Sequence, residues 1–276
     1  MHNVPGFDHV DPAVFRAKAR ADLAARYESI EYRKADIVSV KKMDNVFEAV
    51  DTAGTVYRGR KVGLATGVRD VVEKEVNGYA ECWGRGVFHC LFCHGFEEHS
   101  DSSAGVLATG LLTVPEIIAH VAPMAKRLSS HVTVYTDGKE ELAAATRALI
   151  KSSKISFDTR KITKLSLLHA DQHSSPVVLT FADGTTKTEA FIASHPRVEQ
   201  AAPFAAQLGL EMTDMNGGEA IVTYGPMNMT SVNGVFAAGD AASGMRAVVQ
   251  AMQMGVLAGT GMVGQLQKEL DEADEL

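Results

Sequence analysis

Strand-like and helix-like segments alternate along the sequence, and this alternation constrains the fold more than any other feature. A β-rich run at 105–110 ends in a turn, and Thr113–Glu116 forms a capping box that predicts a helix to about Leu128. A strand is predicted at His131–Thr136 and a further helix at Glu140–Ile150. Because strands that alternate with helices are typical of parallel sheets, we predict an α/β protein.

The rest of the chain adds a helix near each end and two β-rich stretches. Asp11 and Pro12 predict a helix N-terminus, and that helix continues to about Tyr27. A long helical pattern runs from Met245 to Leu270. The predicted strands outside the alternating region lie at 37–40, 46–50, 56–57, 61–65, 177–181, 190–193 and 235–238. Their hairpin signals indicate two related halves.

The composition is that of a globular protein. Of 276 residues, 46% are hydrophobic and 22% are charged, which excludes disordered and fibrous proteins. The 34 acidic and 27 basic residues give a formal charge of −7, and no block of lysine and arginine is present. We therefore expect no nucleic-acid partner.

The sequence gives no sign of a membrane segment or of export. Ala247–Gln267 is long enough to span a bilayer, but its glutamines would be costly in hydrocarbon, so we expect a buried core helix. The N-terminus has no basic region followed by an apolar core, and three cysteines are too few for a disulfide-stapled secreted domain. We predict a cytoplasmic protein with reduced thiols at rest.

Cys90 and Cys93 are the sharpest chemical feature, because two cysteines three positions apart can close a small disulfide ring. We predict that they lie at the start of a helix, whose N-terminus would favour a thiolate. His94 follows directly and is a candidate acid/base for the proton of the second thiol. The pattern predicts a reversible dithiol/disulfide centre with Cys90, Cys93 and His94 as catalytic residues.

Three other interpretations of this segment stay open. The Cys-x-x-Cys-His pattern also attaches c-type haem, which needs an export route that the sequence does not show. Zinc would need Cys82 in addition to the Cys90–His94 segment, and these ligands lie too close for the usual paired spacing, so we predict no metal site. The pair would otherwise be two buried structural cysteines. Cys82 itself is predicted to be a core thiol.

Two segments are candidates for dinucleotide binding. Gly259–Gly264 matches G-x-G-x-x-G, but it lies within a helical pattern rather than between a strand and a helix. Gly105–Glu116 has the strand–turn–helix context, but only Gly110 lies in the turn, and larger residues follow where a pyrophosphate needs close backbone approach. We expect an ordinary strand-to-helix turn and a poor fit for a nicotinamide cofactor.

Gly239 and Asp240 end the predicted strand Val235–Ala238 with a carboxylate. Such a carboxylate suits a ribityl or ribose hydroxyl. The mostly apolar segment Ala247–Met252 that follows is typical of a helix N-terminus lying against a flavin, and an ordinary core helix explains it equally well.

Taken in order, these motifs resemble the low-molecular-weight thioredoxin reductases. The similar segments are Trp83–Val87 leading into the cysteine pair, Ala65–Gly67 and Phe236–Asp240. Cys90–Glu97 is similar to the gliotoxin- and holomycin-type dithiol oxidases, which have histidine where thioredoxin reductases carry aspartate. Val132–Gly138 also looks like that branch and lacks the basic cluster for an NADPH 2′-phosphate. The resemblance covers nearly the whole chain.

The resemblance implies an α/β fold with two Rossmann-like, three-layer domains. It implies an FAD-binding-like domain formed by 1–77 and 196–276, and an NAD(P)-binding-like domain at 78–195 that carries the cysteine pair. It also implies a homodimer. The residues that it implies for FAD binding are Thr66, Gly67, Gly239, Asp240, Gln250 and Ala251.

The dithiol-oxidase branch implies a specific chemistry. A Cys90–Cys93 disulfide oxidises a small-molecule dithiol and passes the electrons through FAD to oxygen, in fungal secondary metabolism. The family assigns Cys93 to the charge-transfer thiol beside the flavin and Cys90 to the attack on substrate. The alternative within the same fold is an NADPH-dependent thioredoxin reductase.

One departure from the family is its opening unit. The family begins with a strand, a G-x-G-x-x-G turn and a helix that grip the FAD pyrophosphate, whereas His2–Gly6 already resembles the loop beyond the second strand. The FAD domain is therefore expected to lack its first βα unit, whose strand is central to the sheet. Either the sequence is truncated or the protein has given up flavin. The latter is a third hypothesis, an inactive remnant that serves as a binding or dimerisation partner.

Overall fold

The computed structural model describes residues 1–215 and 217–275. The helices of the described residues are α1 (Pro12–Ala24), α2 (Tyr79–Cys82), α3 (Pro115–Arg127), α4 (Glu140–Leu149), α5 (Phe204–Gln207) and α6 (Val248–Glu272). The strands up to the cysteine pair are β1 (Ile37–Met43), β2 (Val46–Asp51), β3 (Val56–Gly59), β4 (Val62–Leu64), β5 (Val68–Asp70) and β6 (Val87–Phe88). The later strands are β7 (Ser103–Leu107), β8 (His131–Tyr135), β9 (Ile155–Asp158), β10 (Ile162–Leu167), β11 (Val177–Phe181), β12 (Thr186–Glu189), β13 (Ile192–Ala193), β14 (Val198–Gln200), β15 (Met212–Asp214), β16 (Glu219–Ile221) and β17 (Val235–Ala237).

The chain forms two compact units. The first contains Met1, Asn3–Arg69 and Val198–Leu276, and the second contains His2 and Asp70–Arg197. These divisions differ by up to eight residues from the domain limits expected at 77/78 and 195/196. The assignment of one unit to FAD and of the other to a nicotinamide cofactor stays a prediction.

The second unit is built around a parallel sheet. Its strand order is β6-β13-β7-β8-β9, and all four neighbouring pairs are parallel. Val106 of β7 pairs with Val134 of β8 on one side and with Ala193 of β13 on the other. The helix α3 connects β7 to β8, and α4 connects β8 to β9. The predicted alternation of strands and helices is therefore confirmed in this region.

Two apolar cores cover the two faces of this sheet, because its buried strands are apolar on both sides. On one face, the core joins the sheet to α3 through Ile118, Ala122 and Ala125. On the other, it joins the sheet to an antiparallel layer of β10, β11 and β12. The helical layer, the parallel sheet and the antiparallel sheet give the three layers expected of this domain.

The first unit combines a parallel pair with an antiparallel sheet. The strands β4 and β17 are parallel, with Val62 opposite Val235 and Leu64 opposite Ala237, and β1-β2-β3 form the antiparallel sheet. In the described part of this unit, this parallel sheet has two strands. The core includes Phe47, Phe236 and Met254.

Helix ends show where local prediction holds and where it fails. The Asp11 side chain accepts a hydrogen bond from the Ala13 N–H at 2.6 Å, and Pro12 stands at the first position of α1, as predicted. The predicted capping box at Thr113–Glu116 is wrong. Val114 is the N-cap of α3, and the Thr113 hydroxyl donates to the Gly110 carbonyl instead.

The helix α6 is less buried than predicted for Ala247–Gln267. Only Met254 and Ala258 are buried on α6, whereas Val256 is 69% exposed. The G-x-G-x-x-G match at Gly259–Gly264 lies inside this helix, which confirms that it is not a phosphate-binding turn. No helix among residues 1–215 and 217–275 combines the length and the apolar content needed to cross a bilayer.

Candidate functional site

A disulfide joins Cys90 and Cys93, whose Cα atoms are 5.3 Å apart. It lies directly after the buried strand β6, in the second unit. The Cys90 carbonyl accepts hydrogen bonds from the N–H groups of Cys93 (3.4 Å) and Gly95 (3.2 Å), which closes the turn that holds both sulfur atoms. A Cβ added at Gly95 would lie 3.0 Å from this carbonyl oxygen, so glycine allows the tight turn. Both cysteines are half-buried.

The predicted helix after the cysteines is absent from this segment. Cys93 is followed by a single 3₁₀ turn, His94–Glu97, and the chain then continues as a loop. A one-turn segment has no appreciable macrodipole, because the dipoles of only a few peptides align. The argument that a helix N-terminus favours a thiolate therefore does not apply at this site.

The imidazole of His94 is exposed and contacts two other rings. Its centroid is 4.9 Å from the ring of the buried Phe88 and 5.8 Å from the ring of His173. The rings of His94 and His173 are inclined by only 24°, which is a stacked arrangement. An exposed imidazole next to a disulfide can exchange protons with solvent and with an incoming thiol.

A second series of rings leads from the core toward the cysteine segment. Tyr79 stacks on Trp83 at 5.6 Å, Trp83 stacks on His89 at 5.9 Å, and His89 meets His195 edge to face at 5.8 Å. The Tyr79 hydroxyl donates to the Ser194 hydroxyl at 2.9 Å, and burial raises the pKa of this tyrosine far above its usual range. These contacts hold His89, the residue before Cys90, against buried aromatic rings.

Cys82 is a free thiol in the core, as predicted. It is fully buried at the end of α2, and burial raises its pKa to about 11. At neutral pH it is therefore a protonated thiol without nucleophilic character.

At the carboxyl end of β7, hydrogen-bond donors are already bound to carbonyl groups of the protein. The Lys139 ammonium donates to the Ala108 carbonyl at 3.0 Å, and the Leu111 N–H donates to the His195 carbonyl at 3.0 Å. A Cβ added at Gly110 would lie 1.9 Å from this same His195 oxygen. This is the ordinary strand-to-helix turn that the sequence predicts, with its N–H groups directed to protein acceptors.

In the first unit, β4 and β17 present the predicted FAD residues at one edge. Thr66 and Gly67 follow β4, whereas Gly239 and Asp240 follow β17, and carboxyl ends of neighbouring parallel strands meet at the same edge. Gly239 has a φ of 71°, a left-handed conformation that favours glycine. A Cβ added there would lie 3.5 Å from the Ala251 Cβ, so this turn packs against the first turn of α6.

The start of α6 has no side-chain cap and lies beside apolar side chains. Its N-cap residue is Ala247, which has no capping side chain, so the first-turn N–H groups lack that acceptor. Gln250 lies in this turn between Val249, which is 45% exposed, and Met252, which is 50% exposed.

These groups fit the flavin and ribityl part of FAD. A carboxylate suits hydroxyl groups, an uncapped helix N-terminus suits a partial negative charge, and exposed apolar side chains suit an aromatic ring system. The fit does not extend to the pyrophosphate. In the described residues of this unit, no strand leads into a helix through a turn with the G-x-G-x-x-G spacing.

The structure also brings residues to the cysteine segment that the sequence analysis did not single out. His173 belongs to the loop 168–176, about 80 positions after the cysteines, and Arg85 and Glu98 fasten this loop. Sequence separation hides such contacts. The only sign of this contact in the sequence is that the loop contains two histidines, His169 and His173.

The chain is similar to curated fungal proteins over almost its whole length. It is 38% identical over 269 residues to thioredoxin reductase aclD of Aspergillus oryzae, covering 96% of this chain and 83% of that protein. It is 38% identical to thioredoxin reductase sirT of Leptosphaeria maculans, with coverage of 95% and 80%. It is 39% identical to thioredoxin reductase tcpT of Claviceps purpurea, with coverage of 98% and 83%. No protein-family model matches the sequence.

Solved structures share the fold. An oxidoreductase from Agrobacterium tumefaciens has a TM-score of 0.80 and 26% identity, covering 96% of this chain and 84% of that one. A thioredoxin reductase TrxB from Bacillus anthracis has a TM-score of 0.80 at 20% identity, with coverage of 97% and 85%, and shows the fold alone. The cysteine pair after β6 forms a disulfide, and the fungal relatives are similar to this chain over almost its whole length. The protein therefore belongs to the thioredoxin reductase family and is a thiol–disulfide oxidoreductase.

Proposed function

We propose that this chain is an FAD-dependent oxidase of small-molecule dithiols, which it converts to disulfides with oxygen as the electron acceptor. The observation that carries the proposal is the half-buried Cys90–Cys93 disulfide with the exposed imidazole of His94 directly after it. A small dithiol can reach such a pair, and the neighbouring base can take a thiol proton. The names of the fungal relatives support the thiol chemistry, and the substrate class comes from the dithiol-oxidase resemblance.

The proposed exchange conserves atoms and electrons. His94 takes the proton of one substrate thiol, and the resulting thiolate attacks Sγ of Cys90, which breaks the Cys90–Cys93 bond and leaves Cys93 as a thiolate. The second substrate thiol then attacks the substrate sulfur of this mixed disulfide. This attack breaks the bond between the substrate and Cys90, whose sulfur takes the proton of the second thiol, and the substrate leaves as a disulfide. The two electrons remain on the sulfur atoms of Cys90 and Cys93, one proton is on Cys90 and the other is on His94.

FAD is proposed to lie against Thr66, Gly67, Gly239 and Asp240, with Gln250 and Ala251 of α6 beside them. Bound FAD would supply the two-electron acceptor that restores the disulfide, with oxygen reduced to hydrogen peroxide. The residues of this chain would fix its position. The Asp240 carboxylate would accept hydrogen bonds from ribityl hydroxyls, and the side chains of Val249 and Met252 would exclude water.

The closed turn after β7 supports the oxidase over an NADPH-dependent reductase. Lys139 and Leu111 donate to protein carbonyls at the place where a dinucleotide phosphate would need free donors. Glu75 adds a carboxylate at the same edge, where it accepts a hydrogen bond from Thr109.

The proposed working form is a homodimer that serves fungal secondary metabolism. Apolar side chains of Met252, Val256 and Val263 are at least half exposed on α6, and such surface is costly to leave in water. The relatives named thioredoxin reductase in Aspergillus, Leptosphaeria and Claviceps support a fungal setting.

A flavin-free binding partner is the second candidate function. The observation that favours it is the exposed apolar surface of α6, with Met252, Val256 and Val263 at least half exposed, because such a surface can bind a partner. Such a protein would keep the fold and the disulfide without turnover.

The visible absorption spectrum of the purified chain tests the proposal. A flavin spectrum that bleaches on addition of dithiothreitol without air, and returns with air, is the expected result. Oxygen uptake on addition of a small dithiol, with no NADPH present, should match the disulfide formed one to one. NADPH consumption with a disulfide substrate would instead identify the reductase, and a colourless protein after incubation with FAD would favour the binding partner.

A further inference from the structure

The imidazole of His94 contacts a ring of the core and a ring of a distant loop. Phe88, only 3% exposed, lies on the core side, and His173 stacks on the outer side. We propose that His173 is a positioning residue that fixes the imidazole of His94 beside the Cys90–Cys93 disulfide. The inference rests on the proposed acid/base role of His94, and it assigns a role to the loop 168–176, which connects β10 to β11.

Arg85 fastens this loop to the chain just before the cysteines. Its guanidinium donates to the Ala170 carbonyl at 2.7 Å and also to the Gln172 carbonyl, the residue before His173. The Arg85 carbonyl in turn accepts a hydrogen bond from the Ser175 N–H at 2.9 Å. One residue therefore holds the loop on both sides of His173.

Glu98 fastens the same loop to the chain just after the cysteines. Its carboxylate accepts a hydrogen bond from the Ser174 hydroxyl at 2.7 Å. Inside the loop, the Ser175 hydroxyl accepts from the His169 N–H at 2.8 Å. Hydrogen bonds with residues before and after the cysteines thus fix the backbone of the loop. This backbone places the ring of His173 over His94.

A fixed imidazole matters because the turn that carries His94 gives it little support. The 3₁₀ segment has one turn, and the His94 side chain is exposed, so without an outer contact its χ angles would be free to change. General-base catalysis depends on the base staying within reach of the thiol proton. Packing from both sides is how proteins keep such groups in one orientation.

The rate at which dithiothreitol reduces the Cys90–Cys93 disulfide tests this inference on the full chain, with or without flavin. Samples are quenched with N-ethylmaleimide, and the two added labels are counted by mass spectrometry. We expect His173→Ala to slow the reduction by about three- to tenfold, the fold-change that corresponds to an aromatic stacking contact. His173→Phe keeps a ring over His94 and should restore the rate to within about twofold.

Variants in the same loop provide the controls. His169 is an exposed histidine four positions earlier, and His169→Ala should leave the rate unchanged. Ser174→Ala removes only the bond to Glu98, and because Arg85 still holds the loop, the rate should stay closer to that of the wild type than to that of His173→Ala. The double variant His173→Ala/Ser174→Ala should be no slower than His173→Ala alone, because without the ring of His173 the position of the loop no longer affects His94.

The outcomes separate this inference from the proposed function. If His94→Ala slows the reduction but His173→Ala does not, the positioning role is overturned and the role of His94 stands. If His173→Phe is as slow as His173→Ala, the ring contact is not the cause and the inference is also overturned. If His94→Ala has no effect, the proposed acid/base role fails first.

Discussion

Gly110 lies directly against the backbone carbonyl of His195, so closely that a Cβ at this position would be 1.9 Å from the carbonyl oxygen. Its φ of 53° is also in the left-handed region. This contact closes the turn after β7 and joins it to the segment after β13. The site that resembles a dinucleotide-binding turn is therefore part of the packed backbone of the second unit.

Gly110→Ala should destabilise the protein strongly. The added methyl group has to displace backbone, so we expect a loss of about 3–5 kcal/mol in the free energy of unfolding, measured by urea denaturation. Gly184→Ala is the matched control, because Gly184 also has a positive φ but no atom within 4 Å of its added Cβ. That variant should lose only about 1 kcal/mol. Equal losses of stability in the two variants would show that the positive φ, and not the contact with the His195 carbonyl, causes the destabilisation.

Local sequence patterns predicted the elements of this fold well, because each one depends on neighbouring residues. The helix α1 starts at its predicted proline, and β8 and α4 lie within one residue of their predicted starts and ends. Recognition of the motifs predicted the two Rossmann-like units. The compact units divide at 69/70 and the domain limit is predicted at 77/78, a position that depends on contacts between distant segments.

The spacing of the cysteines indicates their pairing, whereas the geometry around them could not be predicted. The pairing of Cys90 with Cys93 needs only their spacing, whereas the missing helix after them could not be read from the sequence. The run from His94 to Glu98 is compatible with a helix, and Gly95 instead packs against the Cys90 carbonyl. The stacking of His173 on His94 depends on a loop from another part of the chain, and no local pattern encodes it.

Cys82 should remain protonated and unreactive until the protein unfolds. Its pKa is raised by burial to about 11, so after reduction of the disulfide iodoacetamide at pH 8 should label Cys90 and Cys93 but not Cys82. The unfolded thiol loses its proton near pH 9 and the folded one near pH 11. Between these values the unfolded state binds fewer protons, so stability falls as pH rises.

The pH dependence of unfolding checks this assignment. Between pH 9 and pH 11, the buried thiol should cost the wild-type protein up to about 3 kcal/mol, and this part of the slope should vanish in Cys82→Ala. The comparison is made as the difference between pH 8 and pH 10.5 for each protein, because Cys82→Ala also changes packing. A slope that is the same in both proteins would contradict the raised pKa.

Asp240→Ala should weaken FAD binding. The proposed role of this carboxylate is to accept hydrogen bonds from ribityl hydroxyls, and bonds to a charged group contribute about 1.5–3 kcal/mol. The Kd for FAD should therefore rise by about 10- to 150-fold, measured by quenching of flavin fluorescence. Asp271→Ala, at the exposed far end of α6, is the control and should bind FAD as the wild type does. Unchanged affinity in Asp240→Ala would remove this residue from the proposed site.

Both Cys90 and Cys93 should be required for dithiol oxidation. Both Cys93→Ser and Cys90→Ser should lose dithiol oxidation, by at least about 1000-fold, because neither can form the protein disulfide. Cys82→Ser should retain it. Unchanged turnover in Cys93→Ser would exclude the proposed exchange.

The remaining thiol in each variant then distinguishes the two roles. If Cys90 is the sulfur that substrate reaches first, Cys93→Ser should attack an added aromatic disulfide, such as dithionitrobenzoate, and release one equivalent of the coloured thiol. Cys90→Ser, in which only Cys93 remains, should react at least about ten times more slowly. The reagent should reach Cys93 less easily than Cys90, as the substrate does. Equal rates, or a faster reaction of Cys93, would reverse the assignment while leaving the disulfide itself as the reactive centre.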